Sequence, residues 1–379
     1  MEKSKGDQDN HSLLQFLESL KKASKDLQTN PIFVTNDPQP TTETILNLER
    51  EADLMLCSDP NLFKLSQLSC NLKTLLEKLK KYKECSLKSF LCRQITKYEI
   101  YQVACTMEVE IRTCIDKEYV QNLVETLRVV GFEEEKVKVL KEFKNRLSKG
   151  FDREFQELVL KGKVFSILEL LLCDSTCSKR VREHVALAIV ALVRFNRDVF
   201  VGMVFMGGIV QALITMASCC SMQALCLLVS LIRTPLVDEM ELRGEIPKIV
   251  SLFCSSEDLS IKAGTMDCIC EIAHFGRIEV IKAMLEKGLV EKLVELQRST
   301  HDEESVKLGL EIDEMERDWL FGSCVARFSV HVEVGQGLSQ VQKKEIKREM
   351  SRRIREASVS EAEAATIIGE VLWGSSPCN

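Results

Sequence analysis

Residues 205–216 read FMGGIVQALITM, and this stretch contains the pattern that decides the fold. The apolar end of one helix runs into Gly207 and Gly208, and a second apolar helical stretch follows at once. Glycine is favoured at such a junction because it adopts left-handed backbone conformations that other residues avoid. The stretch therefore predicts two helices joined at a glycine in a left-handed turn.

Three further segments repeat the pattern, at residues 158–172 (LVLKGKVFSILELLL), 241–253 (ELRGEIPKIVSLF) and 285–296 (LEKGLVEKLVEL). The turn glycines of the four segments are spaced by 46, 36 and 44 residues. Repeats of roughly 40–47 residues with two or three helices are typical of α-solenoids, in which stacked repeats bury one continuous core. The predicted turn glycines are Gly162, Gly208, Gly244 and Gly288.

A helix of a second type precedes each glycine-linked segment. Small residues such as Ala186, Ala224 and Ala273 recur on one side of these helices. Small side chains let neighbouring helices approach closely, as stacked repeats require. These helices are predicted within residues 137–149, 184–196, 223–233 and 266–276.

The glycine-linked segments resemble armadillo repeats, and the resemblance covers residues from about 133 to 297. Residues 207–214 (GGIVQALI) and 288–296 (GLVEKLVEL) are similar to the family's Gly-Ile-x-x-Leu-Val-x-Leu-Leu helix. The whole arrangement is similar to plant armadillo-repeat proteins related to U-box ubiquitin ligases, which carry a helical bundle before the repeats. The resemblance implies an all-α chain with a right-handed superhelix and a protein-binding groove.

The expected domain organisation has four parts. Residues 1–43 form a flexible segment, residues 44–130 a helical bundle, residues 131–335 the repeats, and residues 336–379 a basic helix and a capping helix. Residues 321–335 have a brief alternation that is compatible with a strand or with a buried helix of a degenerate last repeat. A helix is favoured, because an isolated strand on an α-solenoid has no partner.

The bundle is predicted from apolar residues at helical spacing, in three or four helices. Helix breaks are expected at Asp59–Pro60 and at residues 83–86. The predicted apolar faces comprise Ile45, Leu48, Ala52 and Met55; Leu62, Leu65, Leu68, Leu72, Leu75, Leu76 and Leu79; and Ile95, Ile100, Val103, Met107, Ile111, Cys114 and Ile115.

The partner-binding candidates come from the resemblance. Importin- and catenin-like armadillo proteins clamp an extended peptide with a ladder of asparagines, but the matching positions here are Glu142, Arg194, Leu227 and Glu271. Mixed charge without asparagine favours a folded partner or an amphipathic helix over an extended basic peptide. The groove candidates are Glu142, Arg194, Gln211, Thr215, Lys248, Glu271 and Lys292.

Ligase activity is not carried over from the U-box relatives, because no module opening with Cys-Pro-Ile separates bundle from repeats. The expected function is that of a non-catalytic scaffold or adaptor. The alternative is a regulator or substrate adaptor in the ubiquitin pathway that works with a separate ligase.

No catalytic, cofactor-binding or metal-binding residue is expected. The sequence has no GxSxG, no phosphate-binding glycine loop and no CxxC pair with histidines. His184 is interpreted as a groove or surface residue, and His274 as a residue at a helix end. The 16 cysteines lie mostly in apolar helical runs and indicate reduced, buried thiols.

The net charge of −6 argues against nucleic acid as a general partner, and no apolar run reaches the roughly 18 residues of a membrane span. The strongest charge feature is a basic run between residues 343 and 355. It has two readings: a nuclear-targeting or acidic-partner patch, or a solvated helix face with interleaved glutamates. The expected location is the cytoplasm, with the nucleus as a second location.

Overall fold

The structure is a computed structural model, and it describes residues 63–81, 87–129, 131–301 and 323–373 together with isolated positions before residue 26. Over these ranges the chain is all-helical, with 17 helices and no strand. Apart from those isolated positions, the predicted flexible segment lies outside the described residues. The helix at residues 45–55, Leu62 and both predicted bundle breaks also lie outside them.

The helices follow one another with short connections. In chain order they are α1 (Phe63–Lys81), α2 (Leu87–Arg128), α3 (Glu133–Leu147), α4 (Arg153–Lys161), α5 (Val164–Cys173), α6 (Lys179–Phe195), α7 (Arg197–Met206), α8 (Ile209–Met216), α9 (Cys219–Ile232), α10 (Thr234–Leu242), α11 (Ile246–Ser255), α12 (Leu259–Phe275), α13 (Ile278–Glu286), α14 (Leu289–His301), α15 (Cys324–Val334), α16 (Gln340–Ala357) and α17 (Glu361–Trp373).

The chain divides into two compact units. The first comprises residues 1–125 with residues 152–162, and the second comprises residues 126–151 with residues 163–379. The sequence-based division placed residues 152–162 with the repeats, whereas in the structure this segment groups with the first unit.

The core of the first unit is formed where α1 and α2 pack along their apolar stripes. Leucines of α1, including Leu65 and Leu72, meet Ile100, Met107 and Ile111 of α2, and all are buried. These positions repeat every three or four residues, as an amphipathic helix requires. Their predicted burial is therefore confirmed.

Ile95 does not belong to this apolar face, although the sequence interpretation included it. Its side chain is 59% exposed, whereas Ile100 is 3% exposed. Five residues of α-helix rotate a side chain by about 500°, which places it some 140° away from the starting direction. The inclusion of Ile95 was wrong for this geometric reason.

The second unit has two rows of helices that contact one another in chain order. The first row is α3, α6, α9, α12 and α15, and the second row is α5, α8, α11 and α14. The second-row helices contain the glycine-linked apolar segments, and Leu213 and Leu293 are 1% and 0% exposed. The helical positions and buried faces predicted for these segments are confirmed.

Short helices link the rows and support their neighbours. Arg243, at the end of α10, donates hydrogen bonds to the carbonyl oxygens of Phe205 (2.5 Å) and Gly207 (3.3 Å) at the end of α7. These carbonyls lie at a helix terminus, where no intrahelical donor remains. Arg243 thus connects the end of α10 to the end of α7.

The left-handed turn predicted at the glycines is confirmed only at Gly244 and Gly288, with φ of 65° and 79°. It is wrong at Gly162, where φ is −72° and the following Lys163 takes the left-handed conformation instead. It is also wrong at Gly208, where φ is −85°.

The junction at Gly208 is held by a side chain instead of by a left-handed backbone. The Glu169 carboxylate accepts a hydrogen bond of 3.2 Å from the backbone N–H of Gly208. A Cβ on the preceding Gly207 would collide with that carboxylate. The carboxylate lies at the end of a flexible side chain and can move aside, so this contact links α5 to the start of α8 without requiring glycine there.

Residues Cys324–Val334 form a helix, as predicted, and not a strand. The two C-terminal helices are also confirmed, and Ser360 accepts a hydrogen bond of 3.2 Å from the backbone N–H of Glu363 at the start of α17. The Glu363 carboxylate accepts a hydrogen bond of 2.7 Å from the Val359 N–H, whereas in a capping box it would accept from the N–H of Ser360 itself.

Part of the basic run on α16 is used inside the protein, while Lys344, Arg348, Arg352 and Arg355 are exposed. Lys343 is buried and donates hydrogen bonds to the carbonyl oxygens of Glu333 (2.5 Å) and Gly335 (2.9 Å). Arg353 pairs with Glu349 (2.8 Å) and Glu291 (3.0 Å). The reading of the whole run as a solvated face is wrong for Lys343, whose ammonium group caps the end of α15.

Candidate protein-binding surface

The first row of the second unit presents one continuous set of exposed and half-buried side chains, here called the helix-row face. On α6 its members form a stripe of exposed and half-buried side chains at residues 180, 184, 187, 191 and 194, while the opposite side of the helix is buried. The same spacing on the neighbouring helices gives parallel stripes. The remaining members are Lys141 and Lys144 on α3, Gln223, Cys226, Leu227 and Ser230 on α9, Asp267, Glu271 and His274 on α12, and Arg327, Val330, His331 and Val334 on α15.

The α3–α6 end of this face has charged side chains of both signs around His184. Arg180 of α6 forms an ion pair with Glu134 of α3, which ties the two helices together. Burial lowers the pKa of His184, and the ammonium groups of Lys141 and Lys144 lower it further. The Nδ1 atom of His184 is buried and has no hydrogen-bond partner among the residues that the structure describes.

The centre of the face is apolar and nearly uncharged. Leu187 and Ala191 of α6 lie next to the α9 stripe, and Leu227 is half-buried there. Burial raises the pKa of Cys226 to about 12. A thiol with such a pKa stays protonated at neutral pH and is a poor nucleophile.

The α12–α15 end combines acidic groups with two histidines. Arg327 of α15 pairs with Asp267 of α12. The rings of His274 and His331 are 6.3 Å apart at an angle of 76°. Burial lowers the pKa of His331, and the positive charge of Arg327 adds to that effect.

The predicted groove residues divide between the two rows. Arg194 and Glu271 lie on the helix-row face. Glu142 lies on α3 and is exposed, and the charged α3 side chains that interact with α6 include Glu133, Glu134, Lys141 and Lys144. The structure therefore brings together only part of the predicted set.

The other predicted residues lie on the second row. Gln211 and Thr215 are on α8, where the Thr215 hydroxyl donates to the Gln211 carbonyl at 2.7 Å. Lys248 on α11 pairs with Glu245 at 3.1 Å, and Lys292 on α14 pairs with Glu295 at 2.9 Å. Both lysines are neutralised by neighbours on their own chain segment, so they offer little free charge to a partner.

Sequence reasoning did not identify Lys141, Lys144, Asp267 and Arg327 as members of this surface. The available signal was the order of the first-row helices, since equivalent faces of successive repeats lie side by side. Most of the predicted groove residues were instead placed on the helices that follow the glycines, and these helices form the second row.

Among the described residues, no group of three or more His, Cys, Asp or Glu side chains is placed to hold a metal ion. Also within these ranges, no single helix is long and apolar enough to cross a membrane; the bent pair α7 and α8, at 71° to each other, meets that test only when joined.

No known protein family matches the chain, and no curated protein does. Among solved structures, the crystal structure of an engineered protein from the Northeast Structural Genomics Consortium is similar to it, with 17% sequence identity and a TM-score of 0.45. The match covers 93% of this chain and 77% of the other. A likeness at this level carries no argument about fold or function.

Proposed function

We propose that this protein is a non-catalytic scaffold that binds other proteins through the helix-row face of an armadillo-type α-solenoid. The observation that carries the proposal is the unbroken row of α3, α6, α9, α12 and α15, each in contact with the next. The glycine-linked repeats and the resemblance described above support it as well.

The size of the face agrees with a protein partner. Five helices spaced by about 10 Å span about 40 Å across the row. An exposed stripe of roughly 14 residues is about 20 Å long. The product is about 800 Å², which is the area that each partner typically buries in a stable protein–protein interface.

The chemistry of the face also favours binding over catalysis. The thiols nearest its centre are held protonated by burial, as the raised pKa values of Cys220 and Cys226 indicate. A catalytic thiol needs the opposite shift of its pKa. The mechanism would then be complementarity of shape and charge.

The test is quantitative affinity purification from the native source. We expect Arg194→Glu/Glu271→Lys to lose partners that the wild type retains, because both charges on the face are reversed. Lys248→Glu/Glu295→Lys, at two exposed positions on the second row, also reverses two charges without changing the net charge; it is the matched control and should keep those partners. If both variants retain every partner of the wild type, the helix-row face is not the binding surface.

A ubiquitin-discharge assay with purified protein tests the non-catalytic part of the proposal. Discharge from a charged conjugating enzyme without any added ligase would contradict it. If ubiquitin ligases or their substrates predominate among the partners that depend on the helix-row face, the adaptor role in the ubiquitin pathway is the specific form of the scaffold.

A further inference from the structure

Helix α2 has a second apolar face, on the side opposite to the one that packs against α1. The buried side contains Ile100, Ala104, Met107 and Ile111. A helix that is apolar on two opposite sides needs two partners, because each apolar side is stabilised by burial. The second side, here called the outer face of α2, consists of Phe90, Leu91, Ile95, Tyr98, Tyr101 and Val109, which are between 46% and 64% exposed.

The outer face follows the spacing of a helix that packs against another helix. Positions 91, 95, 98, 102, 105 and 109 are separated alternately by four and three residues, as in a heptad repeat. These 18 residues of helix are about 27 Å long. The amide of Gln102 donates a hydrogen bond of 2.9 Å to the Tyr98 hydroxyl, so the polar position at the centre of the row is joined to an aromatic one.

The six positions of the row contain no charged residue. Lys88 comes before the first of them, and Arg112, which comes after the last, pairs with Glu108 at 3.2 Å. A two-fold axis brings a surface against its own copy, so a row of charges of one sign would repel itself. The outer face has no such row and is compatible with a second copy of the chain.

The area of the outer face agrees with a dimer. If each large side chain has about 200 Å² of surface, the six exposed residues present about 600 Å². Apolar patches of this size are at the upper end of those found on monomers and mark interaction sites. Two copies would bury about 1,200 Å², which is the lower limit for a specific protein–protein interface.

We propose that the outer face of α2 is a homodimer interface, in which the α2 helices of two chains pack antiparallel about a two-fold axis near residue 100. Antiparallel packing places Leu91 against the partner's Val109, and Ile95 against the partner's Cys105. Larger side chains at one end of the row then meet smaller ones from the other end, which favours close packing. Parallel packing would instead place each residue against its own copy.

This interface lies in the first unit and does not depend on the helix-row face of the second unit. Its buried area predicts a dimer with a dissociation constant in the micromolar range, because a small interface has little surplus over the entropy lost on association. For the proposed scaffold, a dimer would have two partner-binding faces in one assembly.

Sedimentation velocity of the full chain, in reducing buffer at micromolar concentrations, tests the dimer. We expect the average mass to rise with concentration toward that of two chains. Leu91→Glu/Ile95→Lys should raise the dissociation constant at least about tenfold, because it places charges in the apolar row. Glutamate four residues before lysine is a stabilising pair on a helix, so α2 should stay folded.

The matched control is Leu242→Glu/Val341→Lys. It makes the same two changes at exposed apolar positions of the second unit, and neither changes the net charge. Its dissociation constant should stay within about twofold of the wild type. Circular dichroism of both double variants checks that their helix content is unchanged.

Disulfide cross-linking tests the antiparallel arrangement. Leu91→Cys/Val109→Cys should give more covalent dimer on oxidation than either single variant, because the two positions meet only between chains. Within one chain they are about 27 Å apart, too far for a disulfide.

Three results would overturn the inference. A mass of one chain at every concentration would show that the outer face does not bind a second copy. Equal dimerisation of the two double variants would place the interface elsewhere. Cross-linking by Leu91→Cys alone, at the level of the double variant, would indicate parallel helices. Because none of these variants changes the helix-row face, the proposed function can hold or fail independently.

Discussion

The backbone N–H of Gln336, in the turn after α15, donates a hydrogen bond of 2.7 Å to the carbonyl oxygen of His274 in the last turn of α12. The turn contains Gly335 and Gly337, and a Cβ on either would collide with the carbonyl groups at the end of α12. The Gly-Gln-Gly sequence, which resembles no nucleotide-binding loop, thus serves a close contact between two backbones.

Gly337→Ala should destabilise the protein. The added methyl group would force the turn away from the carbonyl oxygen of Gly276, at a cost of about 2–4 kcal/mol by analogy with overpacked sites. Thermal unfolding measures the effect. The control is Gly202→Ala on α7, where no neighbouring atom obstructs a Cβ and alanine should be neutral or stabilising by about 0.5–1 kcal/mol. Equal melting temperatures for the two variants would contradict the close packing.

Lys343→Ala should lower the free energy of unfolding, whereas the adjacent Lys344→Ala should not. Loss of the Lys343 ammonium group leaves the buried carbonyl oxygens of Glu333 and Gly335 without their donor, which costs about 1–3 kcal/mol. Lys344 is exposed, and its replacement should change stability by less than about 0.5 kcal/mol. Chemical denaturation of both variants would show whether the structural role of the basic run is confined to the buried lysine.

Leu213→Asp and Leu293→Asp should each destabilise the second unit by roughly 3 kcal/mol or more, because each places a carboxylate in the apolar core. Gln211→Asp is the control on α8 itself, where the side chain is exposed. We expect its melting temperature to stay close to that of the wild type. A core variant as stable as this control would mean that α8 or α14 buries another face.

Stability should decrease as the pH falls from about 7.5 to 5.5, partly because of His184 and His331. In both, burial lowers the pKa below the usual 6.5, so the folded state favours the neutral ring. This stabilisation is complete above the unfolded-state pKa and is lost as pH falls through it toward the folded-state value. Around His331 the charged and titratable neighbours are Arg327, Glu271, His274 and Asp267.

Thermal unfolding across this pH range tests the histidine contribution. The double variant His184→Gln/His331→Gln should show a smaller decrease in melting temperature than the wild type. Carboxylates act in a separate range: arginine hydrogen bonds lower the pKa of Glu349 from 4.5 to about 2, so its contribution is lost only below about pH 4.5. An unchanged slope between pH 7.5 and 5.5 in the double variant would exclude the two histidines as its cause.

Features that depend on neighbouring residues were predicted correctly, and features that depend on contacts between distant residues were not. Leu213 and Leu293 were placed correctly because helical periodicity is a property of neighbouring residues. The helix at Cys324–Val334 was likewise predictable, since a lone strand has no partner for its backbone groups. Ile95 was wrongly assigned to the buried face because it lies five residues before Ile100. At 100° per residue, that spacing places the two side chains on different sides of the helix.

The turn glycines show where local reasoning ends. Gly244 and Gly288 take the left-handed conformation that their position after a helix suggests. Gly207 and Gly208 do not, and their junction is held by a hydrogen bond from the Gly208 N–H to Glu169, which is about forty residues earlier in the chain. Only the packing of α5 against α8 reveals that contact.

By itself, the amino-acid sequence determined the helices, their buried faces and the recurrence of helical groups, because these depend on residues three or four positions apart. The tertiary structure decided which charges meet, bringing Lys141 and Lys144 beside His184 and Glu271 near Cys226. Such neighbours are separated by tens of residues, and their distances depend on how helices pack, which no local pattern contains. The division of the predicted partner-binding residues between two helix rows has the same physical origin.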